Sequence, residues 1–202
     1  MVYAARAVNV QFILNVALNG EKKVIAAFAG DLEKAHEKGV EFVRGLAQCP
    51  GMTGDIVITS NGGYPLDQNA YQCPKGMSAA EATVNDGGVI IMLATCQDGH
   101  GGESYYHSIA DAESADAFFQ QCLHTPQVET LPDQWCAQIW CRIVRKYKVL
   151  FVADKAQEQL IRDLKVEYFE TLDEAYARAR ELKGPDATLT CIPNGVSVVV
   201  KD

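Results

Sequence analysis

Apolar residues along this chain fall into short β-rich runs that alternate with longer stretches of helical spacing. Asn9 to Leu18 and Val24 to Ala29 are two such runs, separated by Asn19-Gly20-Glu21-Lys22, and Asn-Gly between apolar runs is a strong hairpin signal. Asp31 then predicts the cap of a helix to about Leu46, which Cys49-Pro50-Gly51 breaks. Ile56 to Thr59 reads as a strand. It runs into the polar turn Ser60-Asn61-Gly62-Gly63 and a helix carrying Tyr71, Gln72 and Lys75. Ser78-x-x-Glu81 has capping-box spacing and predicts another short helix. The unbroken apolar run Val89 to Cys96 suits a central strand buried on both faces.

Downstream, helices are expected near Tyr105 to Ile109 and Ser114 to His124. A further helix from Thr130, with Pro132 and Asp133 in its first turn, is expected to reach about Lys146. Val149 to Val152 reads as a strand, Thr171-x-x-Glu174 opens a helix to about Lys183, and strands Thr188 to Ile192 and Val196 to Val200 flank a Pro193-Asn194-Gly195 turn. Strands taking turns with helices predict an α/β fold: a layered, mostly parallel sheet flanked by helices, with edge β-hairpins. At 202 residues the chain suits a single domain, 1–202.

Composition narrows the partners. The net charge is −8 and no Lys/Arg stripe forms, the densest basic group being Arg142, Arg145, Lys146 and Lys148, so no nucleic acid is expected. The longest apolar run is too short to cross a bilayer, the N-terminus lacks a signal-peptide pattern, and no membrane partner is expected. Seven cysteines (49, 73, 96, 122, 136, 141, 191) show no CxxC pair. Odd and scattered, they suggest reduced thiols and a cytoplasmic location.

The chemistry concentrates between Asp55 and Gly76. A strand, a Gly-Gly turn and a helix in that order describe a small-ligand crevice at the carboxyl end of a strand. On a helix, Tyr71, Gln72 and Lys75 would share an arc of roughly 100°. An ammonium, an amide and a phenol there could grip a small hydroxy-carboxylate. Each also has a plainer reading: Lys75 as a solvated lysine, Gln72 and Tyr71 as ordinary residues of an amphipathic helix. A second glycine-rich loop, Gln97 to Glu103, comes after the Val89 strand. If the two strands are parallel neighbours, this loop and Asn61, Gly62 and Gly63 line one sheet edge. His100 would then be either a ligand contact or a turn residue. Cys96 and His100 have a metal-compatible spacing, but a structural zinc site needs about four ligands. Cys73 lies beside the site with no histidine in its motif. Trp135, taken alone, reads as a core anchor.

The motifs SNGGYPLDQNAYQCPKG (60–76), GMSAAEATVNDGGVIIMLATCQDGHGGE (76–103), LPDQWCAQI (131–139) and NVQFILNVALNGEKKVIAAFAGD (9–31) resemble, in order, the C-terminal half of the nickel-dependent lactate racemase family. The resemblance covers nearly the whole chain and implies one part of a protein about twice as long, with residues 1–48 as a candidate interdomain region. It implies that Tyr71, Gln72 and Lys75 contact a small 2-hydroxy acid and that Trp135 walls the site beside the cofactor. That cofactor is a nickel pyridinium-dithio pincer mononucleotide. In the family, the missing N-terminal domain supplies the nickel ligands, the lysine tether and the acid/base histidines. No catalytic or metal residue of this chain matches those, so the isolated chain is expected to be inactive and to hold no cofactor. Two alternatives stay open: a free-standing α/β binding or regulatory module for a small carboxylate, and a separate enzyme built from Cys73 or His100 with Lys75.

Overall fold

The computed structural model describes residues 2–201. The chain forms two compact units that divide between Cys49 and Pro50. The first holds helix α1 (Val2–Ala7), the antiparallel hairpin β1 (Ile13–Leu18) and β2 (Val24–Gly30), and helix α2 (Leu32–Ala47). Asn19 makes the hairpin turn with its side chain, whose Oδ1 accepts the amides of Glu21 at 2.9 Å and Lys23 at 3.0 Å. Asp31 caps α2 through the amides of Glu33 and Lys34. Gly39 lets α2 approach the Phe28 ring, which packs on Phe42 at 5.6 Å. Strand β3 (Gln48–Pro50) marks the boundary.

The second unit is built on five strands: β4 (Gly54–Ser60), β5 (Val84–Leu93), β6 (Lys148–Val152), β7 (Glu167–Phe169) and β8 (Leu189–Ile192). Their order is β7-β6-β5-β4-β8, and every pairing is parallel. Parallel strands need crossovers, supplied here by α3 (Cys73–Glu81), α4 (Glu103–Ala110), α5 (Ala115–His124), α6 (Gln134–Lys146), α7 (Glu158–Asp163) and α8 (Leu172–Lys183). The chain steps outward from β4 to β7, then reverses to place β8 on the other side of β4.

Successive residues point to opposite faces of a strand, and both faces here are covered. Val57, Ile90, Met92 and Phe151 pack against Met77, Tyr105, Ile109 and Trp140 from the helices on one side. Ile56, Ile91 and Leu150 meet Ala175 and Ala179 of α8 on the other. Small alanines let α8 lie close to the sheet. Each large side chain removed from water here contributes about 1.5–3 kcal/mol. Trp140 anchors the thicker layer, fully buried, with its indole N–H donating to the Leu164 carbonyl at 2.9 Å.

Several expectations change. The hairpin forms its own two-stranded sheet rather than an edge of the main one. Thr188 to Ile192 is not half of a hairpin: β8 runs parallel to β4, while β9 (Val199–Lys201) belongs to a different sheet. Ser78 opens no helix. It sits inside α3, begun earlier by Pro74, and its hydroxyl donates back to the Pro74 carbonyl at 2.7 Å. Thr130 and Asp133 precede α6, and Asp133 takes a left-handed conformation with φ 60°.

Strand β5 begins at Val84, and Gly54 pairs with Val84 while Ile56 pairs with Val89, so residues 85–88 bulge from the ladder. Gly88 is required there, because a Cβ would lie 2.8 Å from the Asp55 carbonyl. Asp55 ties this bulge to the chain before β8, accepting from Asn85 Nδ2 at 2.9 Å and from the Thr188 amide and hydroxyl at 2.9 and 2.7 Å. The Asn85 bond, then the Thr188 bonds, hold its carboxyl down at about 2. A depressed carboxylate stabilises the fold above its unfolded value and loses that contribution as pH falls from about 3.8 to about 2. We expect Asp55→Asn to lower the melting temperature at pH 6 and the gap from wild type to narrow towards pH 2.5. Thermal melts across that range check it, and a constant gap would show that Asp55 does not carry this dependence.

Candidate functional site

The carboxyl ends of β4 and β5 emerge side by side, and a buried asparagine organises the turn and helix beyond them. Asn61 is fully buried at the end of β4. Its Nδ2 donates to the carbonyls of Leu66 at 2.6 Å and Gln72 at 2.8 Å, and its Oδ1 accepts the Gly76 amide at 3.0 Å. Its side chain is thus spent on positioning the turn and α3, so it acts on the backbone rather than on a ligand. Gly76 is the residue that permits this: a Cβ would meet Asn61 Oδ1 at 2.5 Å and the Ser60 carbonyl at 3.0 Å. Ser60 donates to the Pro193 carbonyl at 2.6 Å, and Asn61 bridges to Asn194. The crevice between β4 and β8, where the strand order reverses, is therefore filled by the Pro193-Asn194-Gly195 turn. Gly62, at φ 79°, leaves room for the Asn194 side chain.

The two glycine-rich loops follow neighbouring parallel strands and so lie at one sheet edge, and main-chain bonds join the second loop to residues 67–71 beyond the first. The Cys96 amide donates to the Asp67 carbonyl, Asp98 to Gln68, Ala70 to Gly99 and Tyr71 to His100, at 2.8–3.1 Å. An open cleft of about 360 Å³ is walled by Gly63, Asp67, Thr95, Asp154 and Glu170, without Tyr71, Gln72, Lys75 or any residue of the 99–102 loop.

Tyr71, Gln72 and Lys75 are brought together, but not on one helix. Tyr71 and Gln72 lie in a 3-10 turn, Ala70–Gln72, and Lys75 lies in the first turn of α3. Lys75 Nζ donates to Gln72 Oε1 at 2.6 Å and is exposed. The Tyr71 hydroxyl donates to Asp133 Oδ1 at 3.0 Å. Its ring stands edge-on to Tyr105 at 5.4 Å and to Trp135 at 6.2 Å. Burial, then the bond to Asp133, push the Tyr71 phenol up to about 12, so it stays neutral. Trp135 is 56% exposed, which corrects its reading as a core anchor: α6 turns it outward beside Tyr71.

The other candidates stand apart from this cluster. The His100 ring stacks on Tyr106 at 5.1 Å, and its Nδ1 accepts the Gly102 amide at 3.1 Å. Only its main-chain carbonyl reaches Tyr71. Cys73 and Cys96 are fully buried in mutual contact, and burial drives the Cys73 thiol far up, away from the thiolate that a nucleophile needs. Among the described residues no group of three or more His, Cys, Asp or Glu is arranged to hold a metal ion. Among them, too, no helix is long and apolar enough to cross a membrane.

Sequence reasoning missed Asp133 as the partner of Tyr71. The two are 62 positions apart, and only the DQW context hinted that this helix start mattered.

Residues 50–200 match the family model for the lactate racemase C-terminal domain. The chain belongs to that family. It is 50% identical over 201 residues to a lactate racemase of Lactiplantibacillus plantarum. It is 46% identical over 202 residues to one of Thermoanaerobacterium thermosaccharolyticum. All of the chain is covered in both alignments, against 47% of each relative. The solved lactate racemase apoprotein of the latter organism superposes with a TM-score of 0.96 at 46% identity, over 100% of this chain and 48% of that one. The chain thus spans about half the length of the relatives it matches.

Because Asn61 and Gly76 fit only without a Cβ between them, Gly76→Ala should destabilise the domain by roughly 1–3 kcal/mol. Urea unfolding measures this. A variant as stable as wild type would show that α3 shifts freely and that Asn61 does not fix its position.

Proposed function

We propose that this chain is the substrate-gripping half of a lactate-type 2-hydroxy acid racemase, contributing carboxylate-binding residues and closing the active-site cleft against an N-terminal domain. The observation that carries the reading is the Lys75–Gln72–Tyr71 cluster beside the exposed Trp135, held on a backbone that Asn61 and the 96–100 loop make rigid. Racemisation must break and remake bonds at the hydroxyl-bearing carbon while the rest of the substrate stays put. A point ammonium and an amide N–H on the carboxylate supply that grip, and the Trp135 indole supplies an apolar wall that excludes water.

A nickel pyridinium-dithio pincer mononucleotide is the cofactor that the resemblance implies for the full-length enzyme. The described residues do not fit as its metal ligands, since no three suitable side chains converge. Trp135 fits only as a neighbour, and the chemistry at the carbon falls to the other half. The first unit supports a partner of that kind. Phe12, Leu14, Val24 and Leu46 are each more than half exposed, an apolar surface that a longer protein would cover. We read residues 1–48 accordingly as an interdomain region. Cys73, Cys96, Cys122, Cys136, Cys141 and Cys191 form no disulfide, which suits a reducing setting, and we place the protein in the cytoplasm.

In the full-length enzyme, Lys75→Ala should remove a charge-assisted bond of about 1.5–3 kcal/mol. That lowers kcat/KM about ten- to two-hundred-fold and leaves the thermal melt within about 0.5 kcal/mol of wild type. Lys75→Arg should recover only part, because the guanidinium fork needs different geometry. Steady-state racemisation beside a melt decides it, and unchanged kcat/KM would return Lys75 to an ordinary surface lysine. The 202-residue chain alone should neither interconvert D- and L-lactate nor copurify with nickel. Chiral analysis and elemental analysis test this, and turnover with stoichiometric metal would overturn the half-enzyme reading.

A further inference from the structure

The open cleft of about 360 Å³ lies at the carboxyl ends of β4, β5, β6 and β7, the edge of a parallel sheet where small ligands bind. Leu93, Val152 and Ala153 give it an apolar wall. The donors along it are already engaged. The Ser60 hydroxyl donates to the Pro193 carbonyl at 2.6 Å and the Thr95 hydroxyl to the Asp67 carbonyl at 3.3 Å. The amides of Ala94, Ala153 and Thr95 donate to the Val152 carbonyl, the Phe169 carbonyl and Asp67 Oδ2. What the lining leaves over is acceptors, the carboxylates of Asp67, Asp154 and Glu170.

Asp67 is the unusual member. It is 8% exposed, and a carboxylate so far from water is ordinarily paired with a cation or held by several donors. Among the described residues Asp67 has no cation partner, and its Oδ2 accepts only the Thr95 amide, at 3.4 Å. Oδ1 has no partner, yet it is not among the oxygens sealed inside the protein, so it opens onto the cleft that Asp67 lines. Asp154 precedes the 3-10 turn Lys155–Gln157 without capping it and is exposed. Glu170 meets Lys155 Nζ at 3.6 Å, the one ion pair that any of the three acids makes among the described residues. A metal ion does not answer this imbalance, because no three ligating groups converge. An alkylammonium does. Its three N–H donors complement a set of acceptors, and its hydrocarbon stem complements the apolar wall.

We propose that this cleft binds a primary alkylammonium, with the ammonium at Asp67 and the stem along Leu93 and Val152, Asp154 and Glu170 adding to the negative potential at its mouth. A free amine and a lysine side chain share this chemistry. The proposal does not depend on the carboxylate-binding reading of Lys75.

The test is titration of the 202-residue chain with n-butylammonium chloride, 1-butanol and potassium chloride, followed by amide NMR shifts, each variant first checked by a thermal melt. Butylammonium should shift the Asp67, Thr95, Ala153 and Asp154 amides and bind about tenfold more tightly than 1-butanol, as a charge-assisted hydrogen bond in a partly open site provides. Asp67→Asn, which keeps an oxygen for the Thr95 amide, should bring butylammonium down to the butanol level and leave butanol unchanged. Asp154→Asn should weaken the amine about two- to threefold. Nα-acetyl-lysinamide separates the two sources: binding as tight as that of butylammonium assigns the ammonium to a lysine of a partner chain, and much weaker binding assigns it to a free amine. Shifts that potassium chloride reproduces at equal ionic strength, equal affinity for amine and alcohol, or an amine affinity that survives Asp67→Asn would each overturn the site. Should Asp67→Asn not fold, the wild-type preference for amine over alcohol and its reduction in Asp154→Asn decide.

Discussion

One carboxamide holds the working end of this domain together. Asn61 ends the β4 strand inside the protein, where an unpaired amide would be costly. It satisfies itself on the carbonyls of Leu66 and Gln72 and the amide of Gly76. Those three groups belong to the turn, the 3-10 segment and α3. The strand end, the turn and the helix are thereby one rigid piece, and Gln72 and Lys75 inherit their positions from it. The glycine at 76 and the small turn at 193–195 are the steric conditions under which that piece can close.

A second layer of order comes from the neighbouring loop. Four main-chain bonds join residues 67–71 to residues 96–100, so the loop after β5 braces the segment that carries Tyr71 through its backbone. This explains why His100, which looks functional in a glycine-rich loop, instead faces Tyr106. Its carbonyl, not its imidazole, is what the Tyr71 segment uses.

Local features were legible in the sequence. Asp31 and the Thr171/Glu174 pair cap their helices as their spacing suggests, because capping is decided within one turn. The central strand announced itself as an unbroken apolar run because both of its faces are covered. Ser78 misled because capping-box spacing carries no information about a helix already begun at Pro74. The three-residue strand Glu167–Phe169 escaped notice for want of length. What could not be read was anything set by distant pairing. The parallel seat of Leu189 against Ile56 is one such case, and the bond from Tyr71 to Asp133 is another. The resemblance named Tyr71, Gln72, Lys75 and Trp135 together. Physical reasoning on the residues alone put the first three on one helix, although a change from 3-10 to α geometry divides them.

The bonds that fix the platform run through main-chain atoms and the buried Asn61, whereas the Lys75 and Trp135 side chains are exposed and that of Gln72 half-buried. Exchanging those outward side chains leaves the supporting bonds in place. The segment therefore keeps the side chains it presents apart from the bonds that fold it. Substitutions at those outward positions can accumulate with the sheet beneath them unaltered.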